Sequence, residues 1–276
     1  RDRPNPCLVR KRDGGFNYAT TDLATIEHRL SEWGAEEIWY VVGAPQQLHF
    51  RQIFAIAKKR GVDANLTHVA FGSILGEDGK PFRTRDGESV QLADVLEESV
   101  ERARKVVEEK NPDLSEEEKV EVAEKVGLGA VKYAELSNGR LTDYKFSWDR
   151  MLALEGNTAP YLLYAYVRTR SIFRKLEEEV DLSGQLEVTE KAEIDLARKL
   201  CQFAETVPDI LNDFRPNLLA NYLYELATTY HAFHKACPVL KSEGITKKSR
   251  LALCELTSRV LQRGLSLLGI ETVERM

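Results

Sequence analysis

The chain has 276 residues, enough for one large domain or two modest ones, and 43% of them are hydrophobic while 30% are charged. No apolar run is long enough to span a bilayer and no signal-peptide pattern opens the sequence, so we expect neither a membrane protein nor a secreted one. The net charge of −5 argues against a protein that coats nucleic acid over its whole surface, but it leaves room for a local basic patch. Four scattered cysteines suit reduced thiols, so we expect a cytoplasmic location.

The first third of the sequence alternates helices and strands. Helical spacing predicts a helix over residues 21–33, and a short run of aromatic and β-branched residues predicts a buried strand over 38–42. A second helix is predicted over residues 46–60 and a second strand over 66–75. This alternation predicts part of a parallel, doubly wound α/β sheet. Ligands of such sheets bind beyond the carboxyl ends of the strands, so the segments that follow both strands are candidate ligand loops.

The remainder of the sequence is predicted to be helical, with no further strand after residue 89. Ser115 and Glu118 have the spacing of a capping box, which predicts a helix that begins there and runs toward Leu136. Apolar stripes at helical spacing predict an all-α bundle from about residue 144 to the end. We place the boundary in a polar stretch, which gives an α/β part over residues 1–142 and an all-α part over 143–276.

Two features of the α/β part suggest a charged ligand. Lys80, Arg83 and Arg85 stand in a glycine-flanked loop directly after the second predicted strand, where they fit either a mobile phosphate clamp or, as composition alone favours, a solvated turn. Tyr18 and Asp22 are four residues apart and would share a helix face. Asp22 is either a carboxylate of the first helical turn, stabilised by the helix dipole, or the partner of a cationic ligand.

Two patterns in the helical part also leave alternatives open. Three tyrosines and three arginines interleave on one predicted helix, which fits either an RNA-binding face or an amphipathic helix with core tyrosines: Tyr161, Tyr164, Tyr166, Arg168, Arg170 and Arg174. His231, His234 and Cys237 are spaced three apart but are one ligand short of a zinc site. Helical packing explains them better, so no metal site is expected.

Five segments, taken in order, resemble the arginyl-tRNA synthetase family over essentially the whole chain. They are residues 14–24 (GGFNYATTDLA), 42–50 (VGAPQQLHF), 71–72 with 79–85 (FG and GKPFRTR), 153–161 (ALEGNTAPY) and 273–276 (VERM). These are similar, respectively, to the family's arginine-binding motif, its next active-site loop, its adenosine strand with the loop that replaces KMSK, its entry into the anticodon-binding domain and its usual C-terminus. The fourth segment is the most specific match.

The resemblance implies a class I ligase that joins arginine to tRNA(Arg) through arginyl-adenylate, with ATP as the second substrate and Mg²⁺ accompanying it. Residues 1–142 would then be the C-terminal half of a Rossmann-type catalytic domain, with the KMSK-like loop and connecting helices. Residues 143–276 would be a helical anticodon-binding domain. We further expect a monomer whose partners are tRNA(Arg), arginine and ATP.

The resemblance also implies roles for particular residues. The residues expected to bind arginine are Tyr18, Asp22 and Gln46. The residues expected at the ATP are His49, Phe71, Gly72 and Phe82, with Arg83 and Arg85 as the catalytic cations of the loop. The residues expected at the anticodon are Tyr161, Tyr164, Arg168, His234 and Met276, although His234 stands where the family often has an aromatic residue.

The family's HIGH motif, which lines the opposite wall of the ATP site, does not occur in these 276 residues. We therefore expect the isolated chain to be inactive in catalysis. The alternative is an RNA- or nucleotide-binding module that reuses a synthetase body without catalysis. A helical scaffold protein is a third possibility, but it leaves the pattern of Tyr18, Asp22 and Gln46 unexplained.

Overall fold

The computed structural model describes residues 6–76, 79–80, 91–176 and 180–276. The expected site residues Phe82, Arg83 and Arg85 lie outside the described residues. The chain divides into two compact units: unit 1 contains Arg1–Ser73 and Arg140–Tyr144, and unit 2 contains Ile74–Gly139 and Lys145–Met276. The functional boundary placed between residues 142 and 143 stays a prediction, since packing units are defined by contacts and not by function. In the described part of the chain, no helix is long and apolar enough to cross a membrane.

Unit 1 is built on a parallel pair of strands. Its elements are α1 (Tyr18–Trp33), β1 (Glu37–Gly43), a 3-10 turn (Ala44–Gln46), α2 (Gln47–Lys59) and β2 (Asn65–Phe71). The two strands pair in parallel over their full length, which confirms the predicted parallel arrangement. Apolar side chains of α1 and α2 pack against each other and against the strands, and they form the core of this unit.

The prediction of a buried first strand is wrong for alternate residues of β1. Ile38 is 6% exposed, whereas Trp39 and Val41 are 50% and 65% exposed. Tyr40 faces the core formed with α1 and α2, so the described helices cover only one face of the strand pair. A run that is apolar on both faces is typical of a strand covered on both sides, but among the described residues of this unit the helices cover one face only.

The second strand also ends earlier than predicted. β2 ends at Phe71 and a separate two-residue strand, β3 (Ile74–Leu75), follows. The chain leaves β2 at Gly72, whose N–H donates to the Arg140 carbonyl at 2.8 Å. A side chain at Gly72 would come within 2.8 Å of the Thr142 backbone, so this close approach requires glycine.

The remaining elements are mostly helices. They are α3 (Leu92–Lys110), α4 (Glu116–Leu136), β4 (Tyr144–Lys145), α5 (Trp148–Met151), α6 (Ala159–Arg174), α7 (Lys191–Cys201), α8 (Phe203–Asp213), α9 (Pro216–Ala236) and α10 (Gly244–Leu267). The prediction that no strand follows residue 89 is wrong at β4. Two residues carry too little pattern to be recognised in sequence, and the backbone partner of this region is distant, since the Phe146 N–H donates to the Leu75 carbonyl at 2.8 Å.

Local hydrogen bonds explain where the central helices begin. The predicted capping box of α4 is confirmed: the Ser115 hydroxyl accepts from the Glu118 N–H at 3.2 Å, and the Glu118 carboxylate accepts from the Ser115 N–H at 2.9 Å. α4 then packs tightly on α3 at Gly127. A Cβ there would lie 2.8 Å from backbone atoms of Ser99 and Val100.

The segment before α6 is shaped by three consecutive residues. Gly156 adopts a positive φ of 82°, which glycine tolerates without strain. The Asn157 side-chain oxygen accepts from the Tyr133 hydroxyl at 2.6 Å. Thr158 is the N-cap, and its hydroxyl accepts from the Tyr161 N–H at 3.3 Å. The sequence Gly-Asn-Thr thus sets the direction in which α6 leaves the loop.

Candidate functional site

The clearest polar contact in unit 1 joins α1 to α2. The Asp22 carboxylate lies 2.6 Å from His49 Nε2, and the two side chains are 32% and 27% exposed. The His49 ring also packs edge-on against Phe50, at 5.3 Å between centroids. The family resemblance implied different substrates for these two residues, and no pattern in the sequence predicted the pair. Their separation of 27 positions leaves no local signal that could have indicated it.

The position of Asp22 excludes one of the two interpretations offered for it. α1 begins at Tyr18, so Asp22 lies beyond the first turn, which contains no acidic residue. The helix dipole acts mainly on the first turn, so it gives little reason for a carboxylate at this position. Tyr18, one turn earlier on the same helix, is 85% exposed.

The carboxyl ends of the two strands bring the other expected residues of unit 1 to one edge. Gly43 at the end of β1 is the register partner of Phe71 at the end of β2. The 3-10 turn that follows β1 ends with Gln46, and the first turn of α2 carries His49. The residues expected to bind arginine and those expected to bind ATP therefore lie at the same edge of the sheet. This is the edge where parallel α/β folds bind their ligands.

Unit 2 contains a pocket of about 360 Å³ between α6, the turn that joins α3 to α4, and the C-terminus. Three residues expected at the anticodon, Tyr164, Arg168 and Met276, line it. The Arg168 guanidinium lies over the Tyr164 ring at 5.6 Å from its centroid, which confirms that the two share one helix face. The other described lining residues are Lys110, Asn111, Pro112, Asp113, Leu114, Val167, Ser171, Arg174 and Arg275.

The two other residues expected at the anticodon are placed differently. The Tyr161 hydroxyl makes a hydrogen bond of 2.9 Å with His231 Nδ1 on α9. His234, one turn further along α9, is half-buried beside Tyr230. Burial lowers the pKa of His231 to about 4, and burial followed by the charge of Arg168 lowers the pKa of His234, so the surroundings of both rings favour the neutral form.

Packing contacts explain the spacing of His231, His234 and Cys237. His231 contacts Tyr161, and the Cys237 side chain is 1% exposed within the bundle core. Within the described ranges, no group of three His, Cys, Asp or Glu side chains is placed to hold a metal ion.

Two known protein families match the two successive parts of the chain. The family described as "tRNA synthetases class I (R), catalytic domain" matches residues 2–148, and the family described as "DALR anticodon binding domain" matches residues 162–276. The fold and the two family matches therefore define part of a class I aminoacyl-tRNA synthetase: a fragment of the catalytic domain followed by a helical anticodon-binding domain. Within that class, the chain belongs to the arginyl-tRNA synthetase family.

Individual relatives extend the match along the whole chain. The chain is 51% identical to the arginine–tRNA ligase of Laribacter hongkongensis and 49% identical to that of Chromobacterium violaceum, and it covers 48% of each. Among solved structures, arginyl-tRNA synthetases of Plasmodium falciparum and Thermus thermophilus both superpose with a TM-score of 0.84, at 31% and 29% identity, and the chain covers 48% and 50% of them. The chain thus spans about half the length of the curated relatives it matches.

Proposed function

We propose that the chain serves the ATP-dependent ligation of arginine to tRNA(Arg), with unit 1 contributing one wall of the arginine and ATP site. The observation that carries this proposal is the position of Asp22. Its carboxylate lies beside His49, at the carboxyl edge of a parallel strand pair, in the part of the chain that matches the arginine-specific catalytic domain. A guanidinium group pairs best with a planar carboxylate, so a half-exposed aspartate at this edge suits arginine as the ligand.

In this proposal Tyr18 and Gln46 complete the arginine site around Asp22. Both side chains are exposed at the same edge and therefore reachable by a substrate. His49 holds one oxygen of the Asp22 carboxylate, which leaves the second oxygen for the guanidinium. The amino acid carboxylate would then attack the α-phosphate of ATP without a covalent enzyme intermediate, so catalysis depends on alignment and charge stabilisation.

ATP is proposed to lie against Phe71 and Gly72, where β2 ends at the carboxyl edge of the strand pair. Phe82 is proposed to contact the ATP, and Arg83 and Arg85 are proposed to stabilise the negative charge that develops on the phosphates. Mg²⁺ is proposed to accompany ATP, because this ion is usually bound through one or two carboxylates together with the phosphates of the substrate.

Unit 2 is proposed to bind the anticodon loop of tRNA(Arg). The pocket offers an aromatic ring, a guanidinium and a thioether, from Tyr164, Arg168 and Met276. Unpaired bases stack on aromatic rings, guanidinium groups meet phosphates, and a thioether packs against a base without demanding a hydrogen bond. Tyr161 and His234 are proposed to extend this surface along α6 and α9.

The test is the variant Asp22→Asn in a chimera that joins the N-terminal half of the Laribacter hongkongensis relative to this chain. Removing one partner of a buried ion pair costs about 3–5 kcal/mol, and the partial exposure of Asp22 reduces the expected loss to about 1.5–3 kcal/mol. The KM for arginine should therefore rise by about 10- to 150-fold, while the KM for ATP should change little.

The matched control is Asp63→Asn, which makes the same change at an exposed position in the loop before β2. This control should leave both KM values near those of the parent chimera. If Asp22→Asn leaves arginine kinetics unchanged, or weakens ATP as much as arginine, the assignment of the arginine site is wrong.

A further inference from the structure

The turn that joins α3 to α4 forms one wall of the pocket in unit 2, and the proposed function gives it no role. Its backbone closes when the Leu114 N–H donates to the Asn111 carbonyl at 3.3 Å. The Leu114 side chain is 7% exposed and belongs to the bundle core, so it fixes the turn to the helices. Asp113, one residue earlier, lines the pocket with its side chain exposed.

The carboxylate of Asp113 is not used by the fold in the described part of the chain. Aspartate is common in turns because its side chain often accepts from nearby N–H groups, but this turn is closed by backbone atoms, and no side-chain hydrogen bond or ion pair of Asp113 occurs among the described residues. Turn formation therefore does not explain the carboxylate.

Three of the four described cations that line the pocket are engaged elsewhere. Lys110 pairs with Glu109 at 3.0 Å, and Arg275 pairs with Glu118 at 3.1 Å. Arg174 donates to the carbonyl of Glu274 at 2.7 Å. Asp113 is thus the one acidic side chain among the described residues lining a pocket that otherwise carries positive charge, and nothing in the described contacts neutralises it.

A carboxylate in such a pocket weakens RNA binding, because it repels the phosphates that the surrounding cations attract. It becomes useful if it accepts a hydrogen bond from a base. Carboxylates accept from the exocyclic amino group of cytosine, whereas uracil presents a carbonyl oxygen at the same position and would be repelled. The pocket volume of about 360 Å³ is sufficient for a single base, and Tyr164 with Arg168 provides a stacking surface.

We propose that Asp113 is a specificity-determining residue that accepts a hydrogen bond from the amino group of an anticodon cytosine held in this pocket. The inference rests on the proposed anticodon-binding function of unit 2. It names cytosine because every arginine codon has G at its second position, so all arginine anticodons share C as their middle base.

The test uses the 276-residue chain and labelled anticodon stem-loop RNAs that differ only in C or U at the middle position. The parent chain should prefer the C hairpin by about 10-fold or more, since a good base contact discriminates by about 1–3 kcal/mol. Asp113→Asn should reduce this preference by about 5-fold or more, weakening the C hairpin and strengthening the U hairpin, because an amide can also donate to the uracil carbonyl.

The matched control is Asp209→Asn, an equal loss of charge at an exposed residue of α8. This variant should keep the full preference for C, and circular dichroism should show the parental helix content for both variants. If Asp113→Asn tightens both hairpins equally, Asp113 acts only through its charge and the proposal is overturned. Equal weakening of both hairpins overturns it as well, because that result indicates a structural role.

A different result separates this inference from the proposed function. If the parent chain binds the arginine hairpins no better than a hairpin with an unrelated anticodon, anticodon binding itself fails, and the role of Asp113 fails with it. If the parent distinguishes the arginine anticodon but the C-over-U preference survives Asp113→Asn, only the role of Asp113 is refuted.

Discussion

The ion pair between Glu193 and Arg250 should be the most costly single polar contact to remove from the helical unit. Glu193 on α7 is 2% exposed, and its carboxylate accepts from Arg250 Nε of α10 at 2.7 Å. The same carboxylate accepts from the N–H groups of Thr189 and Glu190 at 2.9 and 3.1 Å, which caps the start of α7. One buried charge therefore fixes both the beginning of α7 and its packing on α10.

The variant Glu193→Gln preserves the shape of the side chain and removes its charge. Hydrogen bonds to a charged group contribute about 1.5–3 kcal/mol each, and breaking a buried ion pair from one side costs about 3–5 kcal/mol. The amide oxygen of glutamine retains part of these bonds, so we expect a loss of about 2–4 kcal/mol in the free energy of unfolding. Arg250 keeps its second bond, to the Pro238 carbonyl at 3.0 Å.

The loss should depend on pH. Burial by itself raises the pKa of Glu193, but the hydrogen bonds from Arg250 and from the backbone of Thr189 and Glu190 outweigh burial and hold the pKa below its ordinary value. A carboxyl group with a lowered pKa stabilises the fold above its unfolded pKa of about 4.3 and loses this contribution as the pH falls through the folded pKa. The difference in the free energy of unfolding between the parent and Glu193→Gln should therefore be largest near neutral pH and should shrink below about pH 4.

The assay is denaturant unfolding followed by circular dichroism, together with hydrogen exchange of peptides from α7 and α10, at about pH 7 and at about pH 3, below the unfolded pKa. The control is Asp195→Asn on the same helix, whose pair with Lys191 is exposed and should contribute less than about 1 kcal/mol. Equal losses for Glu193→Gln and Asp195→Asn would show that burial of the pair has been given too much weight. A difference that grows as the pH falls would contradict the direction of the pKa shift.

Three further predictions concern function. The isolated chain should not catalyse arginine-dependent exchange between ATP and pyrophosphate, because it supplies one wall of a site that must be preorganised on both sides; clear exchange activity would refute this. In the chimera, Arg83→Ala or Arg85→Ala should depress kcat for adenylate formation with little change in arginine KM, and a loss confined to arginine affinity would mean that the loop is misassigned. Tyr164→Ala and removal of Met276 should each weaken binding of the arginine stem-loop by about 1–3 kcal/mol at unchanged helix content, and parental binding by both variants would exclude the pocket as the anticodon site.

Structure that depends on neighbouring residues was predictable from the sequence. The capping box of α4 joins two residues three positions apart, and both of its hydrogen bonds are present. The left-handed turn at Gly156 and the N-cap at Thr158 are equally local, although neither was predicted from the sequence. Such interactions close within one turn of the chain, so residue types at fixed spacing are enough to specify them. The parallel strand pair was also predictable, because an alternation of helices and short apolar runs has few other solutions.

The contacts that build the sites were decided by the tertiary structure. Asp22 meets His49 across 27 positions, and the pocket of unit 2 combines Asp113, Tyr164 and Met276 from three distant parts of the chain. Whether the apolar residues of β1 are covered also depended on which elements lie over each face, which is why Val41 is exposed where a buried strand was predicted. Composition and spacing determine which side chains favour burial or charge, but the packing of one element on another determines which of them meet, and that depends on contacts summed over the whole fold.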